Sequence, residues 1–288
     1  MRRYLSLLGL LLSLAALPAL AADTPAAEPL RVVSFNVRLP TDSDGANRWD
    51  ARKDLFVDSV RRLHPDVMGT QELWKIQGDY VVEQLPEYRW FGQGRRGGDG
   101  DEHMGVFYRQ DRLKLIESGD FWLSDTPEVV GSISWNNLYP RMVTWALFEQ
   151  LGDGRRFYFF NTHLPYRDQD DVARERGATL IGERIAALPA DIPVVVTGDF
   201  NTPPESAAHR VITRHLQDVW DSGATRSGPA ETFHAFSGKA DRRIDWILQR
   251  GWQVQSVATD TQAHDGRYPS DHFPVVTELR WPVTRATP

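Results

Sequence analysis

The stretch Val194-Val-Val-Thr-Gly-Asp-Phe-Asn201 joins a hydrophobic strand directly to a carboxylate and an amide. Three successive valines are typical of a strand that is buried on both faces. Asp199 and Asn201 could form an Asx turn before Pro203, but two such groups straight after a buried strand fit a binding site better. Strand ends meet at one edge of a sheet, where loops surround them and a ligand can reach them. The stretch therefore predicts a buried strand that ends in a functional site.

Helices and strands alternate on both sides of this stretch. Apolar residues recur at helical spacing over 171–188, and Pro189 and Pro193 bracket the exit into the strand. Nearer the N-terminus, a strand over 30–37 precedes a helix over 49–63, and a second strand follows over 66–72. The other predicted strands cover 104–108, 113–116, 143–148 and 157–160. The pattern predicts one α/β domain over 29–282 without internal repeats.

Composition excludes several classes of protein. The chain has 288 residues, of which 41% are hydrophobic and 25% charged, and this excludes extended disorder. The formal net charge is −6 and the basic residues form no stripe, so the protein as a whole is not attracted to a polyanion. The chain has no cysteine, which excludes disulfides, zinc–thiolate sites and thiol catalysis.

The first 21 residues have the three parts of a signal peptide. Arg2 and Arg3 precede an apolar run over 5–17, and Ala19-Leu-Ala21 offers a small-x-small cleavage site. The run is too short for a comfortable membrane span, and a buried hydrophobic helix is the alternative. We therefore expect 1–21 to be removed on export to the periplasm or the medium, by either the Sec or the twin-arginine route. Residues 22–28 are predicted to be flexible and 283–288 to form a short tail.

Polar residues stand at the ends of six predicted hydrophobic strands. They are Asn36, Glu72, His163, Asp199 with Asn201, Asp245, and Asp271 with His272. Carboxylates and amides without thiolates form an oxygen-rich site suited to Mg²⁺, with Mn²⁺ as a substitute, and such ions serve phosphate chemistry. The two histidines add proton transfer or oxyanion stabilisation. These residues alone therefore predict metal-assisted chemistry on a phosphoester.

Six motifs in order carry a resemblance to a known family. They are Ser34-Phe-Asn-Val-Arg38, Thr70-Gln-Glu72, Asn161-Thr-His163, Gly198-Asp-Phe-Asn201, Arg243-Ile-Asp245 and Ser270-Asp-His272. Across nearly the whole mature chain they resemble the endonuclease/exonuclease/phosphatase superfamily, which includes deoxyribonuclease I. The resemblance implies an α/β fold, a four-layer α/β sandwich in which two packed mixed β-sheets are flanked by helices.

The resemblance also implies which residues bind the metal ion and the attacking water. Asn36 and Glu72 resemble the metal site, with Glu72 as the principal Mg²⁺ ligand, and Asp271 would lie near the same ion. Asp199 and Asn201 resemble the pair that orients or deprotonates water and holds the phosphate.

Two histidines and their partners complete the implied site. His272 would contact the phosphate, and Asp245 would hydrogen-bond it and raise its basicity. His163 resembles the second catalytic histidine of the deoxyribonuclease I branch, and Glu102 matches the glutamate that supports it. This carboxylate would fix the His163 tautomer and favour the protonated imidazole. Arg141 resembles an arginine that contacts phosphate.

These expectations describe an exported, Mg²⁺-dependent enzyme that hydrolyses phosphodiesters, in the manner of a nuclease, by in-line attack of water. A phosphomonoesterase or a phospholipid head-group hydrolase could use the same site, so the substrate could be a nucleic acid or a lipid head-group. A non-catalytic module that binds a phosphate ligand is the other alternative, but the complete set of metal and catalytic residues disfavours it. The mature protein is expected to be a monomer without stable membrane insertion.

The remaining aromatic and histidine residues leave the substrate open. Aromatic residues near the motifs could stack on a base, a sugar or a lipid head-group, or could pack in the core. They are Trp49, Trp74, Trp122, Trp135, Tyr139 and Tyr166. The histidines outside the motifs are predicted to be ordinary surface or loop residues, namely His103, His209, His215, His234 and His264.

Overall fold

The computed structural model describes residues 28–282, which form thirteen β-strands and four α-helices. The strands are β1 (Leu30–Asn36), β2 (Val67–Gln71), β3 (Tyr88–Phe91), β4 (Val106–Arg109), β5 (Leu113–Trp122), β6 (Met142–Gln150), β7 (Arg156–His163), β8 (Val194–Asp199), β9 (Gln217–Asp218), β10 (Thr225–Ser227), β11 (Asp245–Arg250), β12 (Gln253–Thr259) and β13 (Val275–Arg280). The helices are α1 (Trp49–Leu63), α2 (Lys75–Gln84), α3 (Asp171–Ala186) and α4 (Ala207–Ile212). The predicted signal peptide, residues 22–27 and the predicted tail lie outside the described residues.

The strands form two mixed sheets. One has seven strands in the order β10-β12-β13-β1-β2-β4-β3, and the other has six in the order β5-β6-β7-β8-β11-β9. The inner faces of the sheets pack together, while α1 and α2 cover the outer face of the first sheet and α3 and α4 cover that of the second. The predicted four-layer sandwich is therefore confirmed.

The central strands are apolar on both faces because each lies between another sheet and a helix layer. In β1, Val32 packs between the sheets, whereas Val33 packs towards α1 and α2. In β8, Val195 packs between the sheets, whereas Val194 and Val196 pack towards α3 and α4. Successive side chains of a strand point to opposite faces, so an unbroken run of valines satisfies both layers.

The strand directions bring the polar residues to one edge of the sandwich. β1 runs parallel to β2, and β7 runs parallel to β8, so the carboxyl ends of each pair lie together. β11 runs antiparallel to β8 and places Asp245 opposite Asp199. β13 runs antiparallel to β1, so the residues before it reach the same edge. The prediction that all these residues end strands was wrong in two places, because Asp245 begins its strand and Asp271-His272 precede theirs.

The other predicted elements are confirmed, most of them with changed bounds. The helices predicted over 49–63 and 171–188 are confirmed as α1 and α3. The strand predicted over 113–116 continues to Trp122, because its polar second half pairs with β6 after a register shift between Leu115 and Glu117. In the part of the chain that the structure describes, no helix has the length and apolar character needed to cross a membrane.

Candidate active site

A cavity of about 530 Å³ opens at this edge, and eight predicted site residues line it. They are Glu72, Glu102, Arg141, His163, Asp199, Asn201, Asp271 and His272. The other two, Asn36 and Asp245, are buried directly behind these residues and hydrogen-bond to them. The structure thus brings together all ten residues singled out from the sequence.

Asp199 lies at the centre of the site. Its Oδ2 accepts a hydrogen bond from Asn36 Nδ2 at 3.0 Å, and Oδ1 accepts one from the Asn201 backbone N–H at 2.9 Å. The Nε2 atoms of His163 and His272 lie 3.5 and 3.8 Å from the same Oδ2. One carboxylate therefore joins residues from four strand ends.

His272 and Asp245 form a buried pair with opposite charges. His272 Nδ1 lies 2.8 Å from Asp245 Oδ2. Burial lowers the pKa of His272, but the charge of Asp245 and its hydrogen bond outweigh burial and raise this pKa to about 10. Burial, with the charge of Asp245 next in size, raises the pKa of Asp199 to about 7. An imidazolium thus stands beside a carboxyl group that titrates near neutral pH.

The side chain of Asn36 presents its nitrogen, not its oxygen, to the cavity carboxylates. Its Oδ1 accepts the Arg38 backbone N–H at 2.9 Å, and Nδ2 donates to Glu72 Oε1 at 3.2 Å as well as to Asp199. The Arg38 N–H fixes the amide orientation, and an amide nitrogen that donates hydrogen bonds does not ligate a cation. In this arrangement Asn36 positions two carboxylates, and its role as a metal ligand stays a prediction.

Three cavity residues have left-handed backbone conformations. Arg38 and Glu72 both have φ of 59°, and Asn201 has φ of 52°. Each follows the end of a central strand, where the chain must turn sharply. Such conformations cost a non-glycine residue on the order of 1–3 kcal/mol and cluster at functional sites.

The carboxylates of Glu72 and Asp271 fit a hard divalent cation. Both line the cavity, and oxygen donors of this kind suit Mg²⁺ or Mn²⁺. A second group of possible ligand atoms, on Asp199, Asp245 and His272, lies within 4.8 Å of one another. In that group Asp245 and His272 are already hydrogen-bonded to each other, so Glu72 and Asp271 are the better cation ligands.

The predicted pairing of His163 with Glu102 is looser than expected. Glu102 is buried, and its Oε2 lies 3.9 Å from His163 Nδ1, but the same oxygen accepts a hydrogen bond from Arg95 at 2.9 Å. Burial, helped by the charges of Arg141 and Arg95, lowers the pKa of His163 well below its usual value. The expectation that Glu102 favours a protonated His163 was therefore wrong, because burial, with the charges of Arg141 and Arg95 added to it, outweighs a carboxylate 3.9 Å away.

Arg141 has an unpartnered guanidinium. The residue is only 4% exposed, and its NH1 atom is buried without a hydrogen-bond partner. Burial lowers the pKa of Arg141, while the charge of Glu102 opposes this effect. The guanidinium lines the cavity, so a ligand oxygen is the partner that its geometry allows.

Several cavity residues were missed by sequence reasoning. Arg38, Arg95, Arg242 and Phe233 line the cavity, and of these only Arg38 lay inside a recognised motif. Of the six aromatic residues considered from the sequence, three line the cavity, namely Trp74, Tyr139 and Tyr166. Among the remaining histidines, predicted to be surface or loop residues, His103 and His234 lie in loops but are buried.

A two-sheet sandwich that gathers carboxylates and imidazoles at one edge defines a class of metal-dependent hydrolases of phosphoesters. The chain belongs to the Endonuclease/Exonuclease/phosphatase family, whose profile matches residues 33–272. Members of this family depend on divalent metal ions and hydrolyse phosphoesters, which include DNA and a phosphosugar.

Solved structures and sequence relatives agree with this assignment. The chain is 32% identical to an endonuclease/exonuclease/phosphatase family protein from Bacteroides thetaiotaomicron, with a TM-score of 0.83 and coverage of 89% of this chain and 100% of that one. It is also 32% identical to the mannosyl-6-phosphatase of the same species, with a TM-score of 0.81 and coverage of 88% and 100%. Human nocturnin is 23% identical over 303 residues, which cover 90% of this chain and 67% of nocturnin. Among three curated relatives that it matches, this chain spans 48–67% of their length.

Proposed function

We propose that the protein is an exported, Mg²⁺-dependent phosphoesterase that removes phosphate from small, polyhydroxylated phosphomonoesters. The observation that carries the proposal is the buried guanidinium of Arg141, which lines the cavity without a hydrogen-bond partner of its own. The phosphodiester substrate expected from the sequence stays a prediction, and the experiment below compares the two.

Arg141 supports an anionic substrate on energetic grounds. A buried charge without a partner is costly, and the nearest carboxylates do not form an ion pair with it. Arginine presents several N–H groups in a plane that matches two phosphate oxygens. A phosphoryl group in the cavity would supply the acceptors that the protein itself does not.

The size and charge of the surroundings favour a small substrate. A cavity of about 530 Å³ holds a phosphoryl group with one ring-sized alcohol. The chain has a net charge of −6 and no basic stripe, which disfavours long nucleic acids. The 32% identity to a mannosyl-6-phosphatase, over all of that chain, supports a phosphorylated sugar as the substrate class.

Each residue has a role that its position allows. Asp199 would accept a proton from the attacking water, which Asn201 helps to orient, because the pKa of Asp199 near 7 suits a general base at neutral pH. The His272 imidazolium, held by Asp245, would donate to a phosphoryl oxygen, and Arg141 would bind the others. A divalent cation held by Glu72 and Asp271 would supply Lewis-acid stabilisation of the developing charge. His163, being neutral, would act as a hydrogen-bonding group.

A substrate panel tests the proposal. The purified protein would be assayed with Mg²⁺ against hexose 6-phosphates, p-nitrophenyl phosphate, bis(p-nitrophenyl) phosphate, DNA and phosphatidylcholine vesicles. We expect kcat/KM to be highest for the hexose phosphates and activity to disappear in EDTA. Higher kcat/KM for the diesters would instead support the phosphodiesterase, and turnover undiminished by EDTA after metal removal would contradict both.

Variants of two arginines sharpen the test. Arg141→Met should lower kcat/KM for the preferred substrate by about 10²-fold or more, since it removes a charged hydrogen bond to the phosphate. Arg214→Met, at an exposed arginine outside the cavity, is the matched control and should change nothing. An equal loss of kcat/KM in both variants would show that Arg141 does not bind the substrate.

The export part of the proposal has its own test. The chain, with its native N-terminus, would be produced in a Gram-negative host and recovered from the periplasm. N-terminal sequencing should find Ala22 as the first residue, because cleavage is expected after Ala21. Protein that stays in the cytoplasm with residues 1–21 attached would contradict export.

A further inference from the structure

We propose that Arg38 is a built-in counterion of the Glu72 and Asp271 carboxylates, which competes with a divalent cation and weakens its binding to the substrate-free protein. This inference rests on the proposed function in one respect, namely that these two carboxylates bind the cation. It adds a residue that sets how tightly they do so.

The guanidinium of Arg38 stands between the two carboxylates. Its NH1 lies 3.9 Å from Glu72 Oε2, and its Nε lies 3.8 Å from Asp271 Oδ2. Over residues 28–282, no other lysine or arginine lies within 4.0 Å of either carboxylate. Both separations are too long for hydrogen bonds, so Arg38 acts on these carboxylates as a nearby charge and leaves their oxygens able to take a cation.

Arg38 is held in this position by a separate carboxylate. Nε and NH2 of its guanidinium donate to the two oxygens of Asp44 at 3.0 and 2.8 Å. The hydrogen bonds that Arg38 donates to Asp44, together with the charges of Glu72 and Asp271, raise the pKa of Arg38 against the effect of burial. The guanidinium therefore stays charged at any working pH and stays anchored when the two cavity carboxylates are engaged elsewhere.

The backbone of Arg38 is fixed as firmly as its side chain. Its N–H donates to Asn36 Oδ1, while its carbonyl accepts hydrogen bonds from Gln77 Nε2 at 3.0 Å and Arg52 NH2 at 2.7 Å. These contacts hold the residue at its positive φ of 59°. A strained conformation persists where the surrounding contacts determine it, and here these contacts hold the Arg38 guanidinium beside the two carboxylates.

The electrostatic consequence is competition. A dication held by Glu72 and Asp271 would be repelled by the permanent positive charge of Arg38, which lies near both carboxylates. A phosphate dianion in the cavity would offset that repulsion, so metal binding should be tighter with phosphate present than without it. If Arg38 only ordered the carboxylates, removal of its charge would instead leave the Kd for the cation unchanged or raise it.

Mn²⁺ binding measured without any reaction tests the proposal. The phosphate-free protein would be titrated with Mn²⁺ at pH 7.5, and free Mn²⁺ would be followed by its EPR signal. Removal of the Arg38 charge in Arg38→Met should lower the Kd for Mn²⁺ by about tenfold, and inorganic phosphate should tighten binding more in the wild type than in the variant. Arg38→Gln, which keeps a polar side chain, should behave in the same way and serves if Arg38→Met does not fold.

Two further variants separate the possible failures. Arg48→Met removes an exposed arginine from the same segment without contact to either carboxylate, and it should leave the Kd unchanged. Glu72→Gln should weaken Mn²⁺ binding strongly. If Glu72→Gln does so but Arg38→Met and Arg38→Gln leave the Kd unchanged or raise it, the counterion role of Arg38 is overturned while the proposed function survives. If Glu72→Gln leaves Mn²⁺ binding intact, the cation site itself is misplaced, and both proposals fall.

Discussion

Nδ1 of His272 lies 2.8 Å from Oδ2 of Asp245, although 27 positions separate the two residues and both are buried. The aspartate begins β11 in one sheet, and the histidine lies in the segment before β13 in the other. Because β11 runs antiparallel to β8 and β13 runs antiparallel to β1, both strands start at the same edge. The second oxygen of Asp245 is buried without a hydrogen bond, so its charge is directed at the imidazole. This pair makes His272 the site's permanent imidazolium at neutral pH.

Asp245→Asn should lower turnover by about 10²–10⁴-fold, because an amide cannot hold the imidazolium and can stabilise the wrong tautomer. His272→Ala should cost at least as much. The double variant should be little worse than His272→Ala alone, since the two residues act as one unit. Turnover numbers for the four proteins at saturating substrate complete this double-mutant cycle, and losses that multiply independently would show that the residues are not coupled.

The stability of the metal-free protein should depend on Asp199. The pKa of Asp199 is raised from 3.8 to about 7 on folding, so the folded protein keeps a proton that the unfolded chain releases. This contribution is fully present below the unfolded value and is lost as pH rises through the folded value. In EDTA, the wild-type Tm should therefore fall between about pH 4 and pH 7 for this reason.

Asp199→Asn removes that dependence and tests it. The Tm of the variant minus that of the wild type should increase from pH 5 to pH 7.5, because only the wild type loses stability over this range. The variant should also lose turnover. Asp191→Asn, at an exposed aspartate, is the control and should follow the wild type at both pH values. A Tm difference that stays constant between the two pH values would show that Asp199 does not have a raised pKa in the folded protein.

Arg52 ties together the two segments that carry Arg38 and Asp271. It is 1% exposed, and its guanidinium donates to the carbonyl oxygens of Val37 (2.7 Å), Arg38 (2.7 Å), Asn47 (2.9 Å) and Pro269 (2.9 Å). Burial lowers its pKa to about 10, and the charges of nearby carboxylates only partly oppose this effect. The arginine thus joins the end of β1 to the segment before β13 through backbone oxygens alone.

Arg52→Met should destabilise the protein by on the order of 3–5 kcal/mol, because four carbonyls, two of them buried, lose a charged donor. Arg52→Lys, which keeps the charge but cannot reach four acceptors, should fold and should bind Mn²⁺ more weakly than the wild type. Urea denaturation and the Mn²⁺ titration measure the two effects. Arg61→Met, on the exposed face of α1, is the control, and a loss at Arg52 no larger than the loss there would contradict a positioning role.

The sequence predicted the central elements because their patterns are local. Apolar residues at helical spacing marked α1 and α3, and runs of β-branched residues marked β1 and β8. The polar residues that follow such runs could be identified as a site for the same reason. Strands of two or three residues, such as β9 and β10, carry too few positions to show a period, and they were not predicted.

What the sequence could not provide depends on contacts between distant segments. Arg52 reads as one more charged residue in an amphipathic helix, because its four acceptors are backbone oxygens without a sequence signal. The pKa of His163 falls because the imidazole is buried and because Arg141 and Arg95 approach it from two other segments. The orientation of the Asn36 amide depends on one backbone N–H, that of Arg38. Motif order places residues in a site, but it does not give their charge or orientation.

Beneath the cavity, Asn161 joins the two sheets through a fully hydrogen-bonded amide. Its Oδ1 accepts from Gln71 Nε2 at 2.7 Å and from Thr197 Oγ1 at 3.1 Å. Its Nδ2 donates to the carbonyls of Thr70 at 2.7 Å and Gly105 at 3.1 Å. Asn161 lies in β7 of one sheet, whereas Gln71 and Thr70 lie in β2 of the other, so the amide fixes the spacing under the site.

Asn161→Ala should therefore destabilise the protein by on the order of 2–4 kcal/mol, because it leaves buried donors and acceptors on both sheets unpaired. Asn161→Leu should be no better, since there is no spare room: a Cβ added to Gly69 would stand 2.6 Å from Asn161 Oδ1 and 2.0 Å from Thr197 Oγ1. Gln255→Ala, at an exposed amide of β12, is the control. Urea denaturation measures the free energies of unfolding, and a loss at Asn161 as small as that at Gln255 would show that the amide network does not hold the two sheets together.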